Sequence, residues 1–433
     1  MSEPLNIQRS AELWQRAVQL IPGGSQTNSK RPAGYAPGAF PIFIERGRGC
    51  RVWDVDGNEF IDYIQALGPI TLGYCYDRVD DAIRQQLERG IIFGLLSPLE
   101  VEAAQAVCDM VPCAEMVRFL KGGAEATSAA ARIVRAYTGA EVILNSGYRG
   151  WSDTWSAQQE PPAGAGVPEC LRGLVKSFPR DDPDALRHLL TIYRGKVAGV
   201  FLDCASGTAA PRDVVIAIRE LCDEFDVPLC FDEIVTGFRL APGGAQEYYG
   251  VTPDLACFAK GIANGMPIAC VCGKREIMQI AEGLIISVTY GGEALSLAAL
   301  IAALREYREK PVHAHLWQQG KRLVDGLTAL AQRHGVPLVC TGLAPMAMPV
   351  FRYPDPSLNT DVWSLFLQET AARGVLIRRG GLLFVTYSHT PQDIDATLAA
   401  CDAALAEVAA AVEANDLKSR LRVGEIVTSF RRF

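Results

Sequence analysis

The chain lacks an excess of positive charge, a long apolar run and a pair of cysteines spaced to clip a metal. Its 42 Lys and Arg stand against 49 Asp and Glu in 433 residues, a formal net charge of -7. A general affinity for nucleic acid is therefore not indicated. At 21% charged and 49% apolar the composition also argues against a disordered chain. No uninterrupted apolar run approaches the ~20 residues needed to span a bilayer, and the amino terminus MSEPLNIQRS has no apolar signal core. A cytoplasmic protein without membrane or nucleic-acid partners is expected. The 13 cysteines are scattered singly through apolar runs, as around Cys230, Cys257 and Cys270. The one close pair, Cys270 and Cys272, is spaced to face one side of a strand. Buried reduced thiols and no metal site are expected.

What is present is enough chain for two or three domains, in a pattern that changes along its length. Ser10 is placed to cap a helix reaching Leu20, which Pro22-Gly23-Gly24 ends. FPIFIERGRGCRVWDVDGNEFIDYI then reads as an antiparallel meander turning at Asp56-Gly57. From Tyr76 helices and strands alternate. Ser97-Pro98-Leu99-Glu100 is a capping box opening a helix to about Met110. A strand near Met116–Leu120, a helix over Ala124–Tyr137, and strands at Val142–Leu144 and Val197–Leu202 follow, then a helix over Val214–Phe225. The alternation predicts an α/β fold with a mostly parallel central sheet covered by helices. A long helix over Ala294–Arg308 should lead to a smaller α+β unit, with helices near Leu316–Arg333, Val362–Arg373 and Asp393–Val412.

The chemistry concentrates in PLCFDEIVTGFRLAPGGAQEYYGVTPDLACFAKGIANGMPIA, residues 228–269. Leu229–Phe231 and Leu255–Ala259 read as short buried strands, so Asp232 and Lys260 both emerge at strand ends, where α/β proteins build sites. An acid and an amine in one pocket suit pyridoxal phosphate: the lysine forms an exchangeable Schiff base, and the carboxylate keeps the pyridine nitrogen protonated. Two unit charges about 4 Å apart at an effective dielectric of about 20 attract by on the order of 4 kcal/mol, roughly three pKa units.

FDEIVTGFR followed by FAKGIANGMPIA resembles the class III aminotransferases, within the fold-type I pyridoxal-phosphate transferases. The stretch Ile21–Gly73, with IPGG, FIER, VDG and YIQALGPITLGY, resembles the glutamate-1-semialdehyde aminomutase branch. The resemblance implies an amino-terminal segment and part of the small domain over 1–65, a large cofactor-binding domain over 66–310, and a carboxy-terminal small domain over 311–433. The small domain would then be built from both chain ends.

Residue by residue, the resemblance implies a phosphate cup at Lys121-Gly122-Gly123-Ala124, between a strand and a helix whose start offers free N–H groups and a positive dipole end. Gly122 and Ala124 stand where relatives carry hydroxyls, each worth about 1.5–3 kcal/mol to a charged phosphate. Lys121 is either a substitute or a solvated cation. Tyr148 of Tyr148-Arg149-Gly150 inherits the ring-stacking aromatic position, with Arg149 where relatives have histidine. Asp203 stands near a familial Glu-Pro. Thr289 aligns with a threonine that reaches the phosphate of a neighbouring subunit, which implies a homodimer with shared sites. Lys30, Arg31, Arg149 and Arg378, with Arg379, are candidate partners for a substrate carboxylate.

The expected function is transfer of an amino group from a small-molecule donor, such as an amino acid, to a keto or aldehyde acceptor. An intramolecular aminomutase is the first alternative. Against it, the run Arg379-Gly380-Gly381-Leu382-Leu383 lacks the branch's acid, and PPAGAGVPEC does not resemble its gating loop. A catalytically idle binding subunit is the second alternative. KGGAEATSAA with TYGGEALSLAA resembles a subgroup often found beside specialised biosynthetic genes.

Overall fold

A seven-stranded sheet carries the chemistry. In the computed structural model, which describes residues 2–422, its order is Met116–Leu120, Ala269–Gly273, Leu255–Phe258, Leu229–Glu233, Val197–Leu202, Val142–Ser146 and Val175–Ser177. Residues 423–433 of the expected carboxy-terminal domain lie outside the described residues. Ala269–Gly273 runs antiparallel to both of its neighbours and the other registered pairs are parallel, so the sheet is mostly parallel. Because Met116–Leu120 and Leu255–Phe258 both oppose that strand, they point the same way. Six loops or turns thus leave one end of the strands together: those after Leu120, Ser146, Ser177, Leu202, Glu233 and Phe258.

Small residues let the helices sit close on this sheet. Gly123–Thr138 buries Ala126, Ala129, Ala130 and Ala131 together with Ile133 and Val134. Gly199 admits Val134, whose Cγ2 would lie 3.2 Å from a Cβ there. The strands themselves are buried along their length, as in Val197–Leu202 and Leu229–Glu233, and so read as continuous apolar runs. Trp155 meets the Phe201 ring edge-on at 5.2 Å.

The chain divides into two compact units: one gathers residues up to Leu67, Thr71–Tyr76 and the chain from Ala314 on, the other Gly68–Ile70 and Asp77–His313. The first contains the antiparallel meander Ile44–Arg48, Arg51–Asp54 and Glu59–Asp62, to which Val375–Leu376 adds in parallel. It also holds the small antiparallel sheet Leu338–Thr341, Met346–Phe351, Leu383–Phe384, and helices including Pro356–Ala371 and Pro391–Glu413. Gln65, Ala66 and Leu67 adopt left-handed backbone in succession, at φ 44, 53 and 72. Asp62 braces the entry to this turn, accepting from Ile64 N, Gln65 N and the Tyr74 hydroxyl at 2.7, 3.0 and 2.8 Å.

Two expectations shift. The first helix runs Gln8–Leu20 with Ile7 at its N-cap, and Ser10 is buried inside it. The cap comes from 46 residues away: Asp56 accepts from Arg9 N at 2.7 Å and Ser10 N at 3.0 Å. An edge strand Val175–Ser177 and the helix Pro183–Ile192, capped by Asp182, were not foreseen. The capping box at Ser97 and Glu100 is present on both sides. All 13 cysteines are free thiols; Cys75 and Cys170 are exposed. Among the described residues no helix is long and apolar enough to cross a membrane, and no group of three or more His, Cys, Asp or Glu is placed to hold a metal.

Asp56→Ala should therefore destabilise the first helix by about 1 kcal/mol. Urea unfolding would show a lower midpoint, while Glu12→Ala on the same exposed helix should leave it unchanged.

Candidate active site

The register of the central strands brings the two leading residues side by side. Asp232 pairs with Cys257 and Glu233 with Phe258, so Asp232 lies on the last turn of pleat before its strand ends and Lys260 two residues past the end of the adjacent strand. Lys260 opens a short 3-10 turn, Lys260–Ala263, with left-handed backbone at φ 48. A non-glycine residue there costs about 1–3 kcal/mol unless its surroundings hold it. Asp232 is buried. Burial, and the Asp203 carboxylate with it, hold its carboxyl above the ordinary value, offset only in part by the Arg149 guanidinium, the Ile234 amide and the Lys260 ammonium.

Arg149 is the site's main surprise. It was expected to face substrate, but it is 3% exposed and its Nη1 lies 3.1 Å from Asp232 Oδ2. The same guanidinium donates to the carbonyls of Tyr148 at 2.9 Å, Phe201 at 3.3 Å and Ser146. Its neighbour Tyr148 is 56% exposed, leaving ring area for stacking. Thr127 donates to the Arg149 carbonyl at 2.7 Å, and Ser128 and Ser152 share a hydrogen bond of 2.7 Å. The helix that begins at the cup thereby holds the loop that carries Tyr148. No motif in the sequence points to Thr127 or Ser128.

Gly122 is the N-cap of that helix, Gly123–Thr138. A Cβ at Gly122 would meet nothing within 4 Å, and one at Gly123 would stand 3.1 Å from Ile234 Cδ1. The backbone is thus open to a ligand at Gly122. Glu125 Oε2 accepts from Lys121 N and Gly122 N at 2.9 and 3.1 Å, so the next amides, of Gly123 and Ala124, are the ones the helix start offers an anion. Lys121 points to another helix start: Nζ is 2.9 Å from Glu293 Oε2 and 3.2 Å from Ser296 Oγ. Glu293 caps Ala294–Glu309, accepting from Leu295 N and Ser296 N. Burial would raise its carboxyl, but the Ser296 hydroxyl and Lys121 outweigh this and hold it below the ordinary value.

Asp203 is buried and paired with Arg180 at 3.3 Å, with its Oδ1 accepting from Ala205 N and Ser206 N. Thr289 is exposed, on a loop where Ile285 and Tyr290 are also exposed. In the other unit Lys30 is exposed at the end of a 3-10 turn and Arg31 is half-buried. The Tyr35 hydroxyl donates to the Ser29 carbonyl at 3.3 Å, and Arg379 donates to the Tyr35 carbonyl at 3.0 Å and Ser364 Oγ at 2.8 Å.

A model of the class-III aminotransferases matches residues 34–405. The chain belongs to that family. A 3-aminobutyryl-CoA aminotransferase of Cloacimonas acidaminovorans is 33% identical over 94% of this chain and 99% of its own length. A glutamate-1-semialdehyde 2,1-aminomutase of Syntrophobacter fumaroxidans is 34% identical over 92% and 98%. Among solved structures, the FumI protein of Sphingopyxis sp. MTA144 in its PLP internal aldimine form superposes with a TM-score of 0.88 at 31% identity, covering 94% of this chain and 97% of that one. The class-III fold is the fold-type I transferase fold, and the cofactor is pyridoxal 5'-phosphate. The donor set fits it: a buried carboxylate, a lysine one strand away and an open helix start all lie at the same end of the strands.

Two measurements test this class-III site. Lys121→Met should lower the stability of the cofactor-free protein by about 1–3 kcal/mol by stripping a half-buried carboxylate of its cation; an unchanged urea midpoint would remove Lys121 as the anchor of the Ala294 helix. Glu233 is fully buried and its carboxyl is pushed up to about 7 by that burial. The unfolded value is about 4.3, so the folded state holds the extra proton between the two and stability falls as pH rises through about 7. Glu233→Gln should flatten that loss, read as Tm of the cofactor-free protein between pH 5 and 8.

Proposed function

We propose that the chain is an intermolecular aminotransferase in which Lys260 tethers the cofactor and relays protons, and Asp232 holds the cofactor's ring nitrogen. The observation that carries this reading is the register that sets Lys260 one strand away from the buried Asp232. When bound, pyridoxal phosphate supplies an exchangeable carbonyl carbon and an electron sink for the carbon being deprotonated. The Gly123 and Ala124 amides, with Gly122 admitting close approach, hold the phosphate. Tyr148, 56% exposed, would stack on the ring. Lys260 Nζ would serve as the acid–base group that takes a proton from the substrate carbon and gives it back.

For a substrate carboxylate we carry Arg378 over from the resemblance to the family. Lys30 and Arg31 remain secondary candidates. We exclude Arg149 from that role because Asp232 and three carbonyls occupy it. The unit containing Asp77–His313 is read as the large domain, and the unit from both parts of the chain as the small one. A homodimer with Thr289 contributed across the interface is supported by the exposure of Thr289 and of Ile91, Ile92, Phe93, Leu95, Leu96 and Ile285. Reduced thiols throughout fit a cytoplasmic location.

An aminomutase remains the second reading, favoured by full-length similarity to aminomutases. The two separate cleanly. Cofactor-loaded protein mixed with amino donors such as glutamate should lose its cofactor absorbance in the first half-reaction and regain it with a keto or aldehyde acceptor. If no donor in a broad panel does this and a single amino-aldehyde yields product alone, the aminomutase reading replaces ours. Lys260→Ala should lower turnover by about 10²–10⁴, and borohydride reduction should mark Lys260 in peptide maps of the wild type.

A further inference from the structure

Asp232 is held from behind by a cation that cannot be neutralised. Arg149 Nη1 stands 3.1 Å from Asp232 Oδ2, with the two side chains 0% and 7% exposed. The remaining Asp232 oxygen, Oδ1, accepts from Ile234 N at 2.9 Å. The guanidinium is fixed by carbonyls at the ends of two neighbouring strands, those of Ser146 and Phe201, and by the Tyr148 carbonyl. Behind it comes another carboxylate. A Cβ on Gly147 would lie 3.2 Å from both Arg149 Nη1 and Asp203 Cβ, so both side chains border the space beside Gly147. Asp203 in turn meets Arg180 at 3.3 Å. Two ion pairs, Arg180–Asp203 and Arg149–Asp232, thus both border Gly147, and the Lys260 charge acts on Asp232.

We propose that Arg149 is a positioning residue for the cofactor: it fixes Asp232 as the carboxylate and so keeps the shared proton on the ring nitrogen. This rests on the reading of Asp232 as the ring's partner. With the proton on the ring, Arg149 faces an adjacent anion and a more distant cation; with the proton on Asp232 it faces two neutral groups. Coulomb energy falls with distance, so the nearer anion dominates. At an effective dielectric of about 20 the balance favours the protonated ring by about tenfold. A guanidinium does this at every working pH, because it is not deprotonated in proteins. An imidazole, which the resemblance places here, loses its charge near neutrality.

The test is nitrogen NMR of the holoenzyme reconstituted with pyridoxal phosphate labelled with ¹⁵N in the ring. Wild type and R149K should show the shift of a protonated ring nitrogen. R149Q should move it toward the unprotonated value, with the proton ratio changed about tenfold. An unchanged shift in R149Q overturns the proposal and leaves Arg149 a structural residue. If R149Q does not fold, R149H provides the measurement: its ring shift should titrate near neutral pH, and a pH-independent shift identical to wild type overturns the proposal. D232N separates the underlying reading. A ring that stays protonated in D232N overturns the assignment of Asp232, and this proposal with it, whereas loss of the ring proton there with R149Q unchanged overturns the role of Arg149 alone.

Discussion

A carboxylate inside a protein is tolerated only when its surroundings replace the water it has lost. Asp232 sits at the end of a strand buried along its whole length, and the groups around it answer that constraint. Arg149 supplies charge, Ile234 an amide, and Lys260 a second cation nearby. Satisfying Arg149 then requires the carbonyls of Ser146, Tyr148 and Phe201, which fixes where the loop after Ser146 leaves the sheet. Thr127 clasps that loop from the helix that starts at the cup. One buried charge thus couples Asp232, the loop carrying Tyr148 and the helix Gly123–Thr138 into a single arrangement.

The cup departs from its relatives without falling apart. Gly122 and Ala124 supply no hydroxyls, and Lys121, the obvious substitute, is tied to Glu293 and Ser296. That tie joins the starts of two helices, Gly123–Thr138 and Ala294–Glu309, through a side-chain bridge rather than through backbone. Lys121 is neither the solvated cation nor, in this arrangement, a direct stand-in for the missing hydroxyls. In the proposed cup, anion binding would rest on the amides of the helix start and its dipole.

Much of this was legible in the sequence because it depends on local pattern. Continuous apolar runs marked the central strands, and the capping box at Ser97 marked a helix start to the residue. Asp232 and Lys260 could be paired because each ended such a run. What escaped depends on contacts distant in sequence. Asp56 caps the first helix from 46 residues away, so the nearer Ser10 looked like the cap. Arg149 reads as a substrate ligand in a linear motif, and only the fold shows that Asp232, 83 residues on, claims its guanidinium. The left-handed run Gln65-Ala66-Leu67 contains no glycine to announce it. The edge strand Val175–Ser177 is three residues long, too short to show a period.

The distribution of thiols has a practical side. Of the 13 sulfhydryls, Cys75 and Cys170 are the exposed ones, and they fall in different compact units, Thr71–Tyr76 in one and Asp77–His313 in the other. Native chemistry thus offers a maleimide dye an exposed thiol in each unit, with no engineered cysteine needed.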